Sequence, residues 1–445
     1  MIPVGAVFDQ PTLALLREHD PVVQRYRTFF ALLDWSMVPD RLTTRPWPGR
    51  APHPPAAYVK ALLVKLCEHK EYITHLRTFL VEHPLLVLEL GFRPVLDSTQ
   101  PYGFDIERTV PGDRWLRHQQ QTVDPALLSG LLRATVQALL AEIPHLGGTV
   151  ALDVKHIYAW VQENNPKAYV PARYDPARQP AGDADCRLGV KRSTNQTKAD
   201  GTTTERKEYV WGYGSGVVAA TDPRYGDVVL ADYTLPFNEV DITYYHPLYA
   251  QAVAMLGFHP TNVTADAAFD AWHTYQTCAE HGGVAAIPLN QRGHAPPERL
   301  ADGTPLCVQG WPMHPSYQFD HTEGYRAQLF RCPLLFPQVT GQSCAHEQFA
   351  KGPGCVKYIN IEAGGLMRVL LDRHAAEYQR LYRQRTAAER INSQAKAYGS
   401  ERPKVRNGQS VRRLNTLIYI VINAYALERV RAVNAQGRPA PPMLC

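Results

Sequence analysis

No apolar run in this chain is long enough to cross a bilayer. The most apolar stretch, Thr416 to Leu427, falls short of the roughly 20 residues a span needs and carries Asn423, so it reads as a buried C-terminal core helix. Asp9 interrupts the N-terminus and no apolar segment follows a basic start, so no secretory leader is expected and the chain reads as cytoplasmic, with no membrane partner. Its eight cysteines include no CxxC pair; in a reducing compartment they are expected as thiols or thiolates. GxGxxG, the P-loop signature GxxxxGK(S/T) and GxSxG are all missing, which leaves nucleotide-driven and acyl-transfer chemistry without a motif. Internal repeats are absent too. The net charge of +5 is small and does not announce a nucleic-acid binder.

What is present is a local imbalance. Twelve Lys and Arg between Tyr378 and Arg431 face only Glu389, Glu401 and Glu428, whereas the first 150 residues are balanced. Such a stripe is the electrostatic footprint a polyanion requires. Within it, Tyr382, Arg385, Glu389 and Lys396 have the spacing of one helix face: at about 100° per residue they fall within about 60° of arc and span about 20 Å. Leu381, Ala387, Ala388, Ile391 and Ala395 form the opposite, apolar stripe that would seat the helix on a core. One carboxylate among two cations and a phenol suits a metal-binding Glu flanked by phosphate contacts.

Tyr, two residues, Arg, three residues, Glu, six residues, Lys resembles the signature of the DDE transposases of bacterial insertion sequences, in the subgroup named for its Tyr-Arg-Glu-Lys (YREK) motif. The resemblance implies a ribonuclease-H-like fold and two upstream Asp residues on strands. Asp153, inside the apolar run Gly148 to Ile157, is the first: a lone carboxylate in a buried strand needs a partner, and a divalent metal is one. Asp266 ends the strand-like run Thr261 to Asp266, where a carboxylate would point into the crevice at the strand ends. The segment Ala265 to Asp270 also resembles the pattern around the family's second Asp, with Asp270 expected as the N-cap of a helix reaching His281.

The intervening order agrees. Strands are expected at Tyr209 to Ala220 and Asp227 to Leu235, joined by the turn Asp222 to Gly226. A helix from about Asp241 to Leu256, the Asp266 strand, a helix and a strand Val284 to Pro288 follow. The fold class expected is α/β: a ribonuclease-H-like core in two parts, 149–289 and 371–433, an all-helical N-terminal domain 1–148, a β-rich insertion 290–370 before the last catalytic helix, and a tail 434–445.

The N-terminal domain should place helices from Pro55 to about Cys67, Thr74 to Glu82 and Ala126 to Ile143. The first two read either as a helix-turn-helix exposing Tyr72, His75 and Arg77 or as an ordinary packed pair; the polar segment Arg114 to Gln121 is a second candidate DNA reader. The polar stretch Gln162 to Glu208, with Lys191-Arg192 and Arg206-Lys207, reads as a long functional loop, part of it ordering on DNA. Cys307, Cys332, Cys344 and Cys355, half of all cysteines within an eighth of the chain, suggest a structural Zn²⁺ in the insertion, with His314 or His346 as substitutes; buried thiols are the alternative.

By resemblance, Asp153, Asp266 and Glu389 would hold two Mg²⁺ or Mn²⁺ ions about 4 Å apart, and Tyr382, Arg385 and Lys396 would grip phosphates. The implied activity is DNA cleavage at transposon ends and strand transfer into target DNA, by a homodimer on terminal inverted repeats. A nuclease or resolvase without strand transfer, or a domesticated DNA-binding regulator, are the alternatives; three intact carboxylates argue against the latter.

Overall fold

The computed structural model describes residues 10–39, 52–163, 165–197, 203–290 and 298–437; the side chains of residues 176, 192–197 and 203–206 are outside that description, as is the segment 438–445. The architecture is mixed α/β. Helices Pro55–Cys67, Ile73–Glu82, Asp113–Thr122 and Pro125–Glu142 lie where the sequence places them. Three further helices, Gln10–His19, Pro21–Phe30 and the seven-residue Pro84–Leu90, are not among those the sequence reading places. Pro84 opens the last of these and Gly91, at φ +92, closes it in the left-handed conformation that favours glycine. An all-helical N-terminal region is not what forms: Val95–Leu96 pairs antiparallel with Phe104–Asp105, a two-residue ladder too short to leave an alternating pattern. Helices Pro55–Cys67 and Ile73–Glu82 are a packed pair, with Leu62, Leu63, Leu76 and Leu80 buried, and Arg77 is tied to Glu107 at 2.6 Å.

A six-stranded mixed sheet forms the centre. The Asp153 strand, Thr149–Tyr158, runs antiparallel to the long strand Thr203–Asp222 on one side and parallel to Asn262–Thr264 on the other, with Ala285–Ala286 parallel beyond. Gly226–Pro236 pairs with the second half of Thr203–Asp222. The first half pairs with Arg187–Thr197, a strand within the stretch that reads as loop. That strand carries Arg, Lys, Ser, Thr, Asn and Gln with few apolar residues, so no periodicity betrays it; the side chains of Arg192 and Arg206 are outside the described residues.

Asp153 and Lys155 share one face of their strand, since successive side chains alternate, and that face is covered by the helix Thr386–Ala397 and the C-terminal helix Gly408–Gln436. The apolar stripe behaves as expected: Leu381, Ala387, Ala388, Ile391 and Ala395 are all buried. The seating is completed by Arg390, whose guanidinium grips the buried Asp227 carboxylate with two bonds of 2.7 and 2.6 Å. Asn423, the polar residue of the apolar C-terminal helix, bonds both backbone groups of Val229 at the bulge where that strand slips register. The opposite face packs on Tyr245–Leu256; at Gly216 a Cβ would stand 2.7 Å from the Leu248 side chain and 2.9 Å from the Tyr244 ring, so a larger residue there would make both shift.

Residues 298–370 carry a sheet of their own. Strands His314–Asp320, Arg326–Arg331 and Val356–Asn360 form an antiparallel sheet with Arg326–Arg331 central. A small core of its own gathers Met313, Phe330, Cys332, Leu334, Cys355 and Ile359. Helix Ala363–Leu370 returns the chain to the main body. Among the described residues no single helix is long and apolar enough to cross a membrane.

Candidate active site

Three separate elements bring Asp153, Asp266 and Glu389 into one neighbourhood. Burial pushes the Asp153 carboxyl up from its ordinary value and the negative charges of Asp266 and Glu389 push it further, against a hydrogen bond from Asn392. That bond, Asn392 Nδ2 to Asp153 Oδ2, is 2.8 Å long. The other Asn392 side-chain atom, Oδ1, is buried without a hydrogen-bond partner.

Each carboxylate is engaged with the protein itself. Asp266 lies just past its strand and accepts from Ala268 N at 2.9 Å, capping a 3₁₀ turn, Ala267–Phe269. Glu389 pairs with Arg385 at 2.8 Å. Among the described residues no group of three or more His, Cys, Asp or Glu side chains is arranged to hold a metal ion. The donor chemistry nonetheless fits a hard divalent cation. The buried Asp153 carboxylate, its proton affinity raised, beside an unpartnered buried amide oxygen, is relieved by positive charge.

A fourth acid, missed by the sequence reading, belongs to this cluster. Asp241 opens a 3₁₀ turn, Asp241–Tyr244, before the helix proper starts at Tyr245, and it looked like an ordinary helix-start residue. Burial, then the charges of Asp266 and Asp153, push it up to about 6. Asn392 was also missed: a lone Asn on a helix gives no periodic signal, although its place three residues after Glu389 puts both on adjacent turns of one face. Beneath Asp153, burial brings Lys155 down to about 7 despite the neighbouring carboxylates of Asp232 and Asp153. Its ammonium donates to Ser400 Oγ at 3.1 Å and lies 5.1 Å from the ring centre of Tyr419.

The helix face carrying the four-residue signature is not one continuous α-helix. Ala376–Tyr382 and Thr386–Ala397 are joined by a 3₁₀ turn, Arg383–Arg385, which tightens the spacing between Tyr382 and Arg385. Arg385 sits over the Tyr382 ring at 5.6 Å, and Lys396 pairs with Glu401 at 2.9 Å. Both cations are thus held by protein acids, Lys396 with 63% of its side chain exposed.

Asp270 is not the helix N-cap. The helix Trp272–Glu280 is preceded by Ala271, because the 3₁₀ turn capped by Asp266 shifts the helix start. Its buried carboxylate instead takes two bonds from Arg368, at 2.8 and 2.7 Å, tying the insertion to the core.

Residues 189–424 match the family model described as a transposase DDE domain, over half of the chain. The chain belongs to this family of DDE-domain transposases. No curated protein matches it. The matched span contains Asp266 and Glu389 and starts beyond Asp153, so the place of Asp153 in this transposase rests on the geometry above. Membership implies an enzyme acting on DNA and a dependence on divalent metal.

In the insertion, Cys332 and Cys355 are buried in the small core, Cys307 and Cys344 pack against it, and the four thiols are electrostatic neighbours. Cys355 Sγ lies 3.6 Å from His346 Nδ1. His314 is exposed, on the other side of its strand from buried Met313.

Proposed function

We propose that this transposase cuts DNA at the ends of a mobile element and joins the freed ends to target DNA, with Asp153, Asp266 and Glu389 as the catalytic carboxylates on a ribonuclease-H-like core. The observation that supports this most is that the charges of Asp266 and Glu389, both within the matched family domain, act on the buried Asp153 carboxylate from two other elements of the fold. Mg²⁺ or Mn²⁺, two ions by the family resemblance, is the metal we assign to these hard oxygens; when bound there it supplies Lewis-acid activation of the attacking oxygen and stabilises the leaving one.

The chain's own residues do the rest. Asn392 holds Asp153 in one orientation. Arg385 and Lys396 exchange Glu389 and Glu401 for DNA phosphates, and Tyr382, beneath Arg385, donates to a phosphate or supports the guanidinium. Releasing Arg385 from Glu389 frees that carboxylate for metal, so DNA binding and metal binding assist each other. A homodimer on two inverted repeats of double-stranded DNA, in the cytoplasm, completes the proposal. A structural Zn²⁺ in the insertion is a separate part of it, supported by the gathering of the four thiols.

The test is a strand-transfer assay with a plasmid target. Asp153→Asn, Asp266→Asn and Glu389→Gln should each abolish cleavage and joining in Mg²⁺ while DNA binding persists, since each removes a ligand charge and little volume. A variant that cuts at wild-type rate would remove its residue from the site. Cleavage by the wild type without joining would make the protein a nuclease on the same fold, and binding without cleavage a regulator.

A further inference from the structure

Between the Glu389 helix and the C-terminal helix runs the loop Arg402-Pro403-Lys404-Val405-Arg406, in which cations alternate with apolar residues. Pro403 and Val405 are buried, and Arg402 and Arg406 are exposed, as the two-residue period of extended chain requires. Each cation lies over an aromatic ring from elsewhere in the chain. Arg402 is 4.3 Å from the ring centre of Tyr158, Lys404 is 5.8 Å from that of Tyr72, and Arg406 is 5.0 Å from that of Trp160. Trp160 is itself 40% exposed. The backbone is pinned as well: Tyr158 N donates to Glu401 O at 2.8 Å, and Arg406 Nε to Trp160 O at 3.2 Å.

The loop borders two adjoining clefts of about 300 and 360 Å³. Lys70 and Lys396 line the first, Arg117 and Gln121 line the second, and Lys404 stands in both. Glu71 and Glu401 are the acids there, one paired with Lys404 at 3.2 Å and the other with Lys396. The cations outnumber them. Lys396, seven residues past Glu389, is shared between this surface and the active-site helix, so the cationic track is continuous with the catalytic carboxylates.

We propose that these clefts hold the phosphate backbone of the DNA duplex as it leaves the active site, with Arg402, Lys404, Arg406 and Arg117 as the phosphate contacts. The proposal rests on the reading of the chain as an enzyme that cuts DNA, and adds the path the duplex takes. A ring beneath a guanidinium fixes its plane while leaving N–H edges free for phosphate oxygens. The helix Asp113–Thr122 then reads as a phosphate-binding element through Arg117.

The test is binding of the full-length protein to a random-sequence duplex, followed by anisotropy across about 50 to 200 mM salt. Arg402→Ala, Lys404→Ala and Arg406→Ala combined should lower the log-log salt slope by about one unit for each DNA phosphate that is no longer neutralised. The charge-keeping combination Arg402→Lys, Lys404→Arg and Arg406→Lys should keep the slope, and a thermal melt shows whether each variant is folded. Should the triple alanine variant not fold, Arg402→Ala and Arg406→Ala singly, both at exposed positions, carry the same test. An unchanged slope in folded alanine variants, while the wild type still cuts DNA in Mg²⁺, overturns this path and leaves the catalytic reading intact. A wild type that neither binds nor cuts DNA overturns both.

Discussion

The Asn392 amide holds Asp153 from the same helix that presents Glu389, so one helix supplies one of the proposed catalytic carboxylates and orients another. Outer partners of this kind typically contribute roughly 10- to 100-fold in metal affinity or rate. Asn392→Ala should therefore raise the Mg²⁺ concentration for half-maximal cleavage by about 10-fold. DNA affinity in the absence of metal should stay near wild type. A Mg²⁺ titration of nicking decides it, and a wild-type midpoint in the variant would make the bond incidental.

The helix is also fastened by Arg390. Its two bonds to the fully buried Asp227 carboxylate mean that Arg390→Ala strands a charge, which costs about 3 kcal/mol, the lower end for buried pairs, because the guanidinium is about a third exposed. Adding Asp227→Asn should recover part of the loss, since no charge then remains buried. Chemical denaturation of the two variants reads both effects. Equal stability of Arg390→Ala and the wild type would mean that solvent reaches Asp227.

Far from the site, Glu89 joins the first two helices to the N-terminal body. The side-chain bond from Arg27, assisted by Arg17, holds its carboxyl down at about 2 against an ordinary 4.5. A pKa lower in the folded chain means that this carboxylate contributes stability above about pH 4.5 and loses it as pH falls toward 2. Melting temperature should drop through that window in the wild type, and the drop should be shallower in Glu89→Gln. Parallel pH profiles for the two proteins would remove Glu89 from the acid response.

Short-range pattern made much of this legible. The spacing from Tyr382 to Lys396 marked the helix, a lone acid inside an apolar run singled out Asp153, and an apolar run ending in an acid singled out Asp266. What stayed hidden depends on distance or on weak periodicity. Arg368 meets Asp270 across 98 residues of sequence, and no local pattern foretells that pair. Arg187–Thr197 becomes a strand only because Thr203–Asp222 extends past the sheet and offers it an edge. The 3₁₀ turn Arg383–Arg385 keeps the order of side chains and alters their angle, which spacing alone does not resolve.

The insertion offers the sharpest contrast between two accounts of the same residues. Cys307, Cys332, Cys344 and Cys355 come together in and around the insertion's small core, and burial pushes the Cys355 thiol up, with the other three adding to it. Repulsion of that kind disappears when thiolates ligate a cation. The side chains do not stand in a ligating arrangement among the described residues, so binding would require them to rotate inward. Protein purified without chelator is expected to carry about one Zn²⁺ per chain, and chelation should lower the melting temperature of the insertion. If zinc is near zero and Cys332→Val and Cys355→Val melt like the wild type, the thiols act as small apolar side chains and the insertion is held by its sheet and by Arg368 on Asp270.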